Sequence, residues 1–73
     1  MNKKKEQVVI ITFKTLDEDG VKDQISISEL KPRLAKRVYK KLLYRWKHYK
    51  VVDIPLFAIA VAADDIDHIA LYK

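Results

Sequence analysis

The sequence contains no cysteine and only one glycine among its 73 residues. Without cysteine, the chain has no disulfide to stabilise it and no thiolate ligand for zinc. With a single glycine, it cannot form a glycine-rich loop that binds phosphate groups. The sequence also lacks a nucleophile elbow and an HExxH motif. We therefore predict no enzymatic activity, no catalytic residue, no cofactor and no small-molecule substrate.

Long apolar segments are also missing. The longest apolar run, from Ile54 to Ala63, is about half the length that a membrane-spanning helix needs. The apolar segment from Val8 to Ile11 is too short to be the core of a signal peptide. Because the absence of cysteine is also compatible with a reducing compartment, we expect a cytoplasmic protein with no membrane partner.

Positive charge is abundant, but it is concentrated in one stretch. Residues 28–50 hold nine of the 15 basic residues and one of the 10 acidic residues, in a chain of formal charge +5. Localised positive charge is the pattern expected for recognition of acidic surfaces or nucleic acids. It also keeps any amphipathic helix soluble, so charge alone does not define a partner.

Pro32–Lys50 has the period of an amphipathic helix, with Leu34, Val38 and Leu42 in a wide apolar stripe. We call the opposite side of this helix the basic face. Tyr44 lies in the middle of that face. It is either an ordinary exposed tyrosine packed on lysine side chains or an aromatic contact for a partner. The predicted partner-binding residues of the basic face are Arg33, Lys36, Arg37, Lys40, Lys41, Tyr44, Lys47 and His48.

The residues before the helix predict a β-hairpin. Gln7–Thr15 is rich in β-branched residues and is apolar on both faces at its start, which is typical of a central strand or of a strand whose second face is covered. Leu16–Gly20 predicts a turn in which Gly20 takes a positive φ angle. Val21–Ile27 alternates apolar and polar residues, as a half-exposed antiparallel strand does. Ser28 is a candidate N-cap for a single turn that precedes Pro32.

The residues after the helix are less clear. We interpret Val51–Pro55 as a connector. Leu56–Ala62 alternates large and small apolar residues and predicts a strand, although the same stretch could form an apolar helix starting at Pro55. Ala63–Asp65 predicts a turn, and Ile66–Tyr72 predicts the last strand.

These elements predict an α+β fold of ββαββ order. In it, two β-hairpins form one antiparallel sheet, and the long helix packs on one face of that sheet. Residues 1–6 form a mobile basic lead, and residues 7–73 form a single domain. The helix would be roughly 28 Å long, whereas a four-stranded sheet is about 19 Å wide. The overhanging end would expose Trp46, Tyr49 or Leu43, so we predict a homodimer.

Asp64, Asp65, Asp67 and His68 are the nearest candidates for a metal site, since the acidic turn at Leu16–Gly20 lacks the later glycine and glutamate of a calcium-binding EF-hand loop. Carboxylates and an imidazole at this spacing can hold a divalent cation. However, consecutive aspartates are common in turns because their side chains bind nearby backbone amides. We therefore predict no metal site.

Two functions are compatible with the basic face. The first is a small regulatory or interaction protein that docks on an acidic surface of a larger protein. A short, basic, cysteine-free chain without catalytic motifs is what we expect from a phage or mobile element. The alternative is nucleic-acid binding with weak sequence specificity, because no helix-turn-helix, zinc-finger or RRM signature is present. Attachment of the helix to an anionic membrane is less favoured, because a sheet should cover the bulky residues of the apolar stripe.

Overall fold

A computed structural model of the chain describes residues 6–54 and 57–72. Within these ranges the protein is a small α+β fold with five strands in two antiparallel sheets, one α-helix and one short 3₁₀ turn. The three-stranded sheet has the order β2-β1-β5, and β3 and β4 form the two-stranded sheet. The elements are β1 (Gln7–Leu16), β2 (Lys22–Leu30), α1 (Pro32–His48), β3 (Val51–Ile54), β4 (Ile59–Ala62), the 3₁₀ turn (Ala63–Asp65) and β5 (Ile66–Tyr72).

Strand β1 is the central strand of the larger sheet, as its apolar sequence predicts. It pairs antiparallel with β2 on one side and with β5 on the other. Val9, Ile11 and Phe13 are buried on the face that forms the core. Thr12, on the opposite face, is also buried, and its Oγ1 accepts a hydrogen bond of 3.2 Å from Gln24 Nε2.

The turn between β1 and β2 has the predicted glycine conformation. Gly20 has a φ angle of +81°, and its amide donates to the Asp17 carbonyl oxygen at 3.1 Å. The Asp17 carboxylate accepts further hydrogen bonds from the amides of Asp19 and Val21, at 2.8 and 3.0 Å. An aspartate that binds amides of the following residues is a common way to stabilise a tight turn.

The predicted helical turn at Ser28 is wrong. Ser28 and Glu29 belong to β2, which continues to Leu30 because that side chain is buried in the core. The register shifts near Glu29, whose φ angle of +60° marks a bulge. The helix begins at Pro32, where the missing N–H and the fixed φ angle suit the first helical position.

Helix α1 and the strands share one hydrophobic core. The helix contributes Ala35, Val38 and Leu42, and it lies against β1, β3 and β5. Trp46 is half-buried, and its Nε1 donates to the Ala63 carbonyl oxygen at 3.2 Å. The core consists of Val9, Ile11, Phe13, Ile27, Leu30, Ala35, Val38, Leu42, Val52, Ile54, Ala63, Ile66 and Ile69.

The predicted second hairpin is also wrong. Strand β4 pairs with β3, with Val61 opposite Val52, whereas β5 pairs with β1. Strand β3 lies in the stretch that the sequence analysis interprets as a connector. The sequence does not indicate this strand, because four residues next to a proline are too few to show a period. The predicted ββαββ order is thus replaced by two strands, a helix and three strands in two sheets.

Residues 59–62 form a strand rather than a helix, while Pro55 and Leu56 lie outside the described residues. Residues 1–5 of the predicted lead and Lys73 also lie outside them, so the division into a lead and one domain stays a prediction. No helix in the described ranges is both long and apolar enough to cross a membrane.

Candidate functional site

All eight predicted contact residues of the basic face lie on α1 with exposed side chains. Their exposure follows from the helical period, because they lie on the side of the helix away from Ala35, Val38 and Leu42. The helix ends at His48, two residues before the predicted end, and Tyr49 is already extended. The basic face therefore includes the last residue of the helix.

Six of the eight residues surround one shallow depression on the surface of α1. The aliphatic parts of the cationic side chains and the Tyr44 ring give this depression more apolar than polar surface. A depression with a largely apolar lining and a cationic rim can hold a carbon-rich side chain of a partner. Its lining residues are Arg33, Lys36, Arg37, Lys40, Lys41 and Tyr44.

The other two residues, Lys47 and His48, lie beyond the depression toward the end of the helix. The His48 ring is 4.3 Å from the Tyr44 ring, measured between centroids, and is tilted by 37°. The Tyr49 ring meets Tyr44 edge-on at 6.1 Å. We call Tyr44, His48 and Tyr49 the aromatic cluster. The helical period predicts Tyr49 in the apolar stripe, but it is exposed because the chain leaves the helix there.

Within the described part of the chain, no cation of the basic face forms an ion pair, although Asp53 lines a groove with Arg37 and Lys41. The ion pairs found there join Asp67 to Lys22 and to His68, on the three-stranded sheet. The side chain of Arg45 behaves differently from the basic face, because it is half-buried and its guanidinium donates to the Asp53 carbonyl oxygen at 3.2 Å. The charges of the basic face are therefore available to a partner.

The start of α1 carries positive charge at the end of the helix where it is least favourable. The N-cap residue is Lys31, which makes no capping hydrogen bond through its side chain, and the first turn contains Arg33 but no acidic residue. A cation near a helix N-terminus opposes the helix dipole, at a cost of about 0.3–1 kcal/mol. Solubility does not explain these cations, because acidic residues in the first turn would also keep the helix soluble and would stabilise it.

Leu34 is a contact candidate that the sequence pattern missed. The helical period assigns it to the buried stripe, yet it is 45% exposed. It lines one shallow groove together with Arg33 and Arg37, and it borders a second groove with Val38 and Ile54, where α1 meets β3. Its position at the edge of the stripe, near the start of the helix, is the only signal that could have indicated this exposure.

The aspartates considered as metal ligands do not converge. Asp67 Oδ2 lies 3.0 Å from Lys22 Nζ and 3.0 Å from His68 Nδ1. The hydrogen bond from Lys22, and next the contact with His68, lower the pKa of the Asp67 carboxyl group. Among the described residues, no group of three potential ligands is placed to hold a metal ion.

Comparison of the chain with protein-family models, curated proteins and solved structures finds no match. A functional interpretation therefore depends on the geometry and chemistry of the basic face itself.

Proposed function

We propose that this protein is a small, non-enzymatic interaction protein that docks on an acidic surface of a larger protein through its basic face. The observation that carries this proposal is the row of exposed cations around an apolar depression on α1. Such a surface attracts a negatively charged partner over long range and offers apolar contact area at short range. Docking of this kind would make the chain a regulator of its partner, and we place that interaction in the cytoplasm.

The exposed apolar residues favour a protein partner over a phosphate backbone. Leu34 shares a groove with Arg33 and Arg37, and an apolar side chain there would gain nothing from a phosphate group. A leucine of this kind can instead bury its surface against apolar side chains of a protein, worth about 25 cal/mol per Å² removed from water. Apolar contacts surrounded by charges are the usual composition of a protein interface.

The aromatic cluster supports the same interpretation. Tyrosine and arginine are enriched among the residues that dominate binding energy in protein complexes. Tyr44 is 56% exposed, although His48 and Tyr49 pack against its ring. Because neighbouring rings restrict its motion, Tyr44 would lose little side-chain entropy when a partner covers it.

Nucleic-acid binding is the second candidate, and the absence of acidic residues from the basic face favours it. If about six phosphates were neutralised, the logarithm of the association constant would fall with a slope near −5 against the logarithm of salt concentration. Titration into labelled duplex and single-stranded DNA at about 50 and 200 mM salt measures this dependence. Tight binding at the lower salt that disappears at the higher salt would favour a nucleic-acid target and contradict a protein target.

A photo-cross-linking experiment in the native host tests the proposed function. A photoreactive phenylalanine analogue would replace Tyr44 in one variant and Tyr72 in a matched control, since Tyr72 is similarly exposed (51%) but lies on β5. We expect the Tyr44 variant to form an adduct with a protein that carries an acidic surface. The Tyr72 variant should not form that adduct.

Charge reversal then shows whether the adduct depends on the basic face. Arg37→Glu with Lys40→Glu should abolish it, whereas Lys14→Glu with Lys50→Glu should preserve it. Each pair of changes removes the same amount of positive charge, and all four side chains are exposed. Equal cross-linking from Tyr44 and Tyr72, or equal loss in both double variants, would contradict the proposed function.

A further inference from the structure

The basic face contains a groove between two rows of side chains. Residues four apart on a helix form a ridge, and a groove separates neighbouring ridges. The rows that line the shallow depression of α1 are Arg33, Arg37 and Lys41 on one side and Lys36, Lys40 and Tyr44 on the other. The depression is therefore part of the groove between two neighbouring ridges of the helix.

The groove continues toward the start of the helix. A second depression, with a mostly apolar lining, lies there and shares Arg33 and Lys36 with the first. Pro32 also lines it, and this residue precedes Lys36 by four positions and so begins the same row. From Pro32 to Tyr44 the groove is about 18 Å long, at about 1.5 Å per residue. A groove of this length fits an elongated segment of a partner rather than one side chain.

The hydrogen-bonding groups of the groove favour a helical segment over an extended one. Arginine and lysine side chains donate hydrogen bonds but accept none, and the backbone groups between the two ends of α1 are bonded within the helix. Among the groove residues, all of which the structure describes, Tyr44 has the one side-chain oxygen that can accept a hydrogen bond. A strand pressed into the groove would therefore leave amide groups without acceptors, which is costly. A helix satisfies its own backbone and presents only side chains to the groove.

A ridge on a second helix matches this groove. When rows of residues four apart interdigitate, two helices cross at about 50° with their axes about 8–10 Å apart. Leucine side chains on the partner's ridge would lie on the aliphatic parts of the lysine and arginine side chains. Residues on either side of that ridge would meet the cations of both rows, such as Arg37 and Lys40. Because carboxylates there would pair with these cations, a fitting helix carries acidic residues on both sides of a narrow apolar row.

From these observations we infer that the basic face binds an acidic α-helix of its partner, whose apolar ridge enters the groove between two rows of ion pairs. This inference rests on the proposed function, and it specifies the kind of segment that is bound. Tyr44 lies at the end of the groove toward the helix C-terminus, where it packs against His48 and Tyr49. It would contact the last apolar residue of the partner's ridge.

Two synthetic peptides of equal charge test this inference. The first is an acidic helix with leucine at every fourth position and glutamate on both sides of that row. The second has a proline in place of one central alanine on the opposite side, which breaks the helix but keeps every leucine and carboxylate. In fluorescence anisotropy the proline should weaken binding by about tenfold or more, because the peptide no longer presents a continuous ridge. Circular dichroism should show that the first peptide gains helix on binding.

A charge exchange between the chain and the peptide shows whether the helix lies in the groove. Arg37→Glu should weaken binding of the first peptide by about tenfold. In a series of peptides, each with one glutamate beside the leucine row replaced by lysine, one member should restore binding to this variant, because it places a cation opposite the new carboxylate. Lys14→Glu is the matched control, since it makes the same charge change at an exposed position of β1 and should weaken binding much less.

Failure of this inference is distinguishable from failure of the proposed function. Equal binding of the two peptides, or a loss in Arg37→Glu that no peptide of the series restores, would overturn the inference, although an acidic partner would still be bound. Absence of peptide binding together with a protein adduct at Tyr44 in the native host would also overturn the inference alone. A DNA duplex that binds more tightly than the first peptide at about 150 mM salt would contradict both.

Discussion

Helix α1 and the β3–β4 hairpin expose opposite kinds of side chain to solvent. The exposed side of α1 carries the basic face, and most of the apolar residues of α1 are buried or half-buried. Among the strand residues of the hairpin, Asp53 is the only charged one. The hairpin also exposes large apolar side chains, such as those of Val51 and Ile59. Neither arrangement is what folding alone requires, because the helix accepts repulsion between cations and the hairpin accepts exposed apolar area.

The two regions therefore expose surfaces of different chemistry. The charged surface of α1 suits a partner of opposite charge, as proposed above, whereas the β3–β4 hairpin exposes mainly uncharged, apolar side chains. Four substitutions test how the residues of each region contribute to stability and to binding.

The largest effect should distinguish the two sides of α1. Leu42 is fully buried in the core, so Leu42→Ala should lower the free energy of unfolding by about 2–5 kcal/mol. Leu34→Ala is the same change at an exposed position, and it should cost less than about 1 kcal/mol. Urea unfolding measures both values. If the two variants were equally destabilised, Leu34 would be part of the core and would not be a contact residue for a partner.

A smaller effect concerns the backbone of the hairpin. Ala58 has a φ angle of +54°, in the left-handed region that costs a residue with a Cβ atom about 1–2 kcal/mol. Ala58→Gly should therefore stabilise the protein by about 1 kcal/mol in thermal or urea unfolding. Ala62→Gly is the control in extended backbone, where glycine should destabilise by about 0.5–1 kcal/mol. Destabilisation by both changes would show that Ala58 is not strained.

A similar gain should appear at the start of α1, but at the expense of binding. Lys31→Asp places an N-cap acceptor at a residue whose backbone is already extended, and it removes a cation from the positive end of the dipole. We expect a stabilisation of about 1 kcal/mol, together with weaker binding of an acidic partner. Lys14→Glu, a charge change on β1, is the control for net charge. Stabilisation without any loss of binding would mean that the N-terminal charge has no role in docking.

The smallest effect should come from Asp67, on the three-stranded sheet and away from both surfaces. Its pKa is lowered in the folded state by Lys22 and next by His68. Asp67 therefore contributes stability above the usual pKa of an aspartate, and this contribution is lost as the pH falls through the lowered value. Asp67→Asn should reduce the difference between urea midpoints at neutral and acidic pH. An unchanged difference would show that the contact with Lys22 does not affect stability.

The parts of the fold that sequence could predict are those with a long period. The helix, the central strand β1 and the turn at Gly20 follow from repeated apolar positions or from a glycine that a turn requires. The pairing of β4 with β3 could not be predicted, because four residues show no period and nothing local distinguishes β3 from β5 as a partner. Leu34 and Tyr49 were missed for a related reason: a helical wheel shows direction, but not where the sheet stops covering the helix.

Two-dimensional NMR with an acidic, leucine-containing peptide tests most directly whether docking occurs on the basic face. An isotope-labelled chain would be titrated with the peptide, and the amide chemical shifts would be followed residue by residue. We predict shift changes concentrated in residues 31–49, strongest near Arg37 and Tyr44, with residues 59–62 unchanged. Shift changes centred on β4 or the three-stranded sheet, or none at any concentration, would contradict docking through α1.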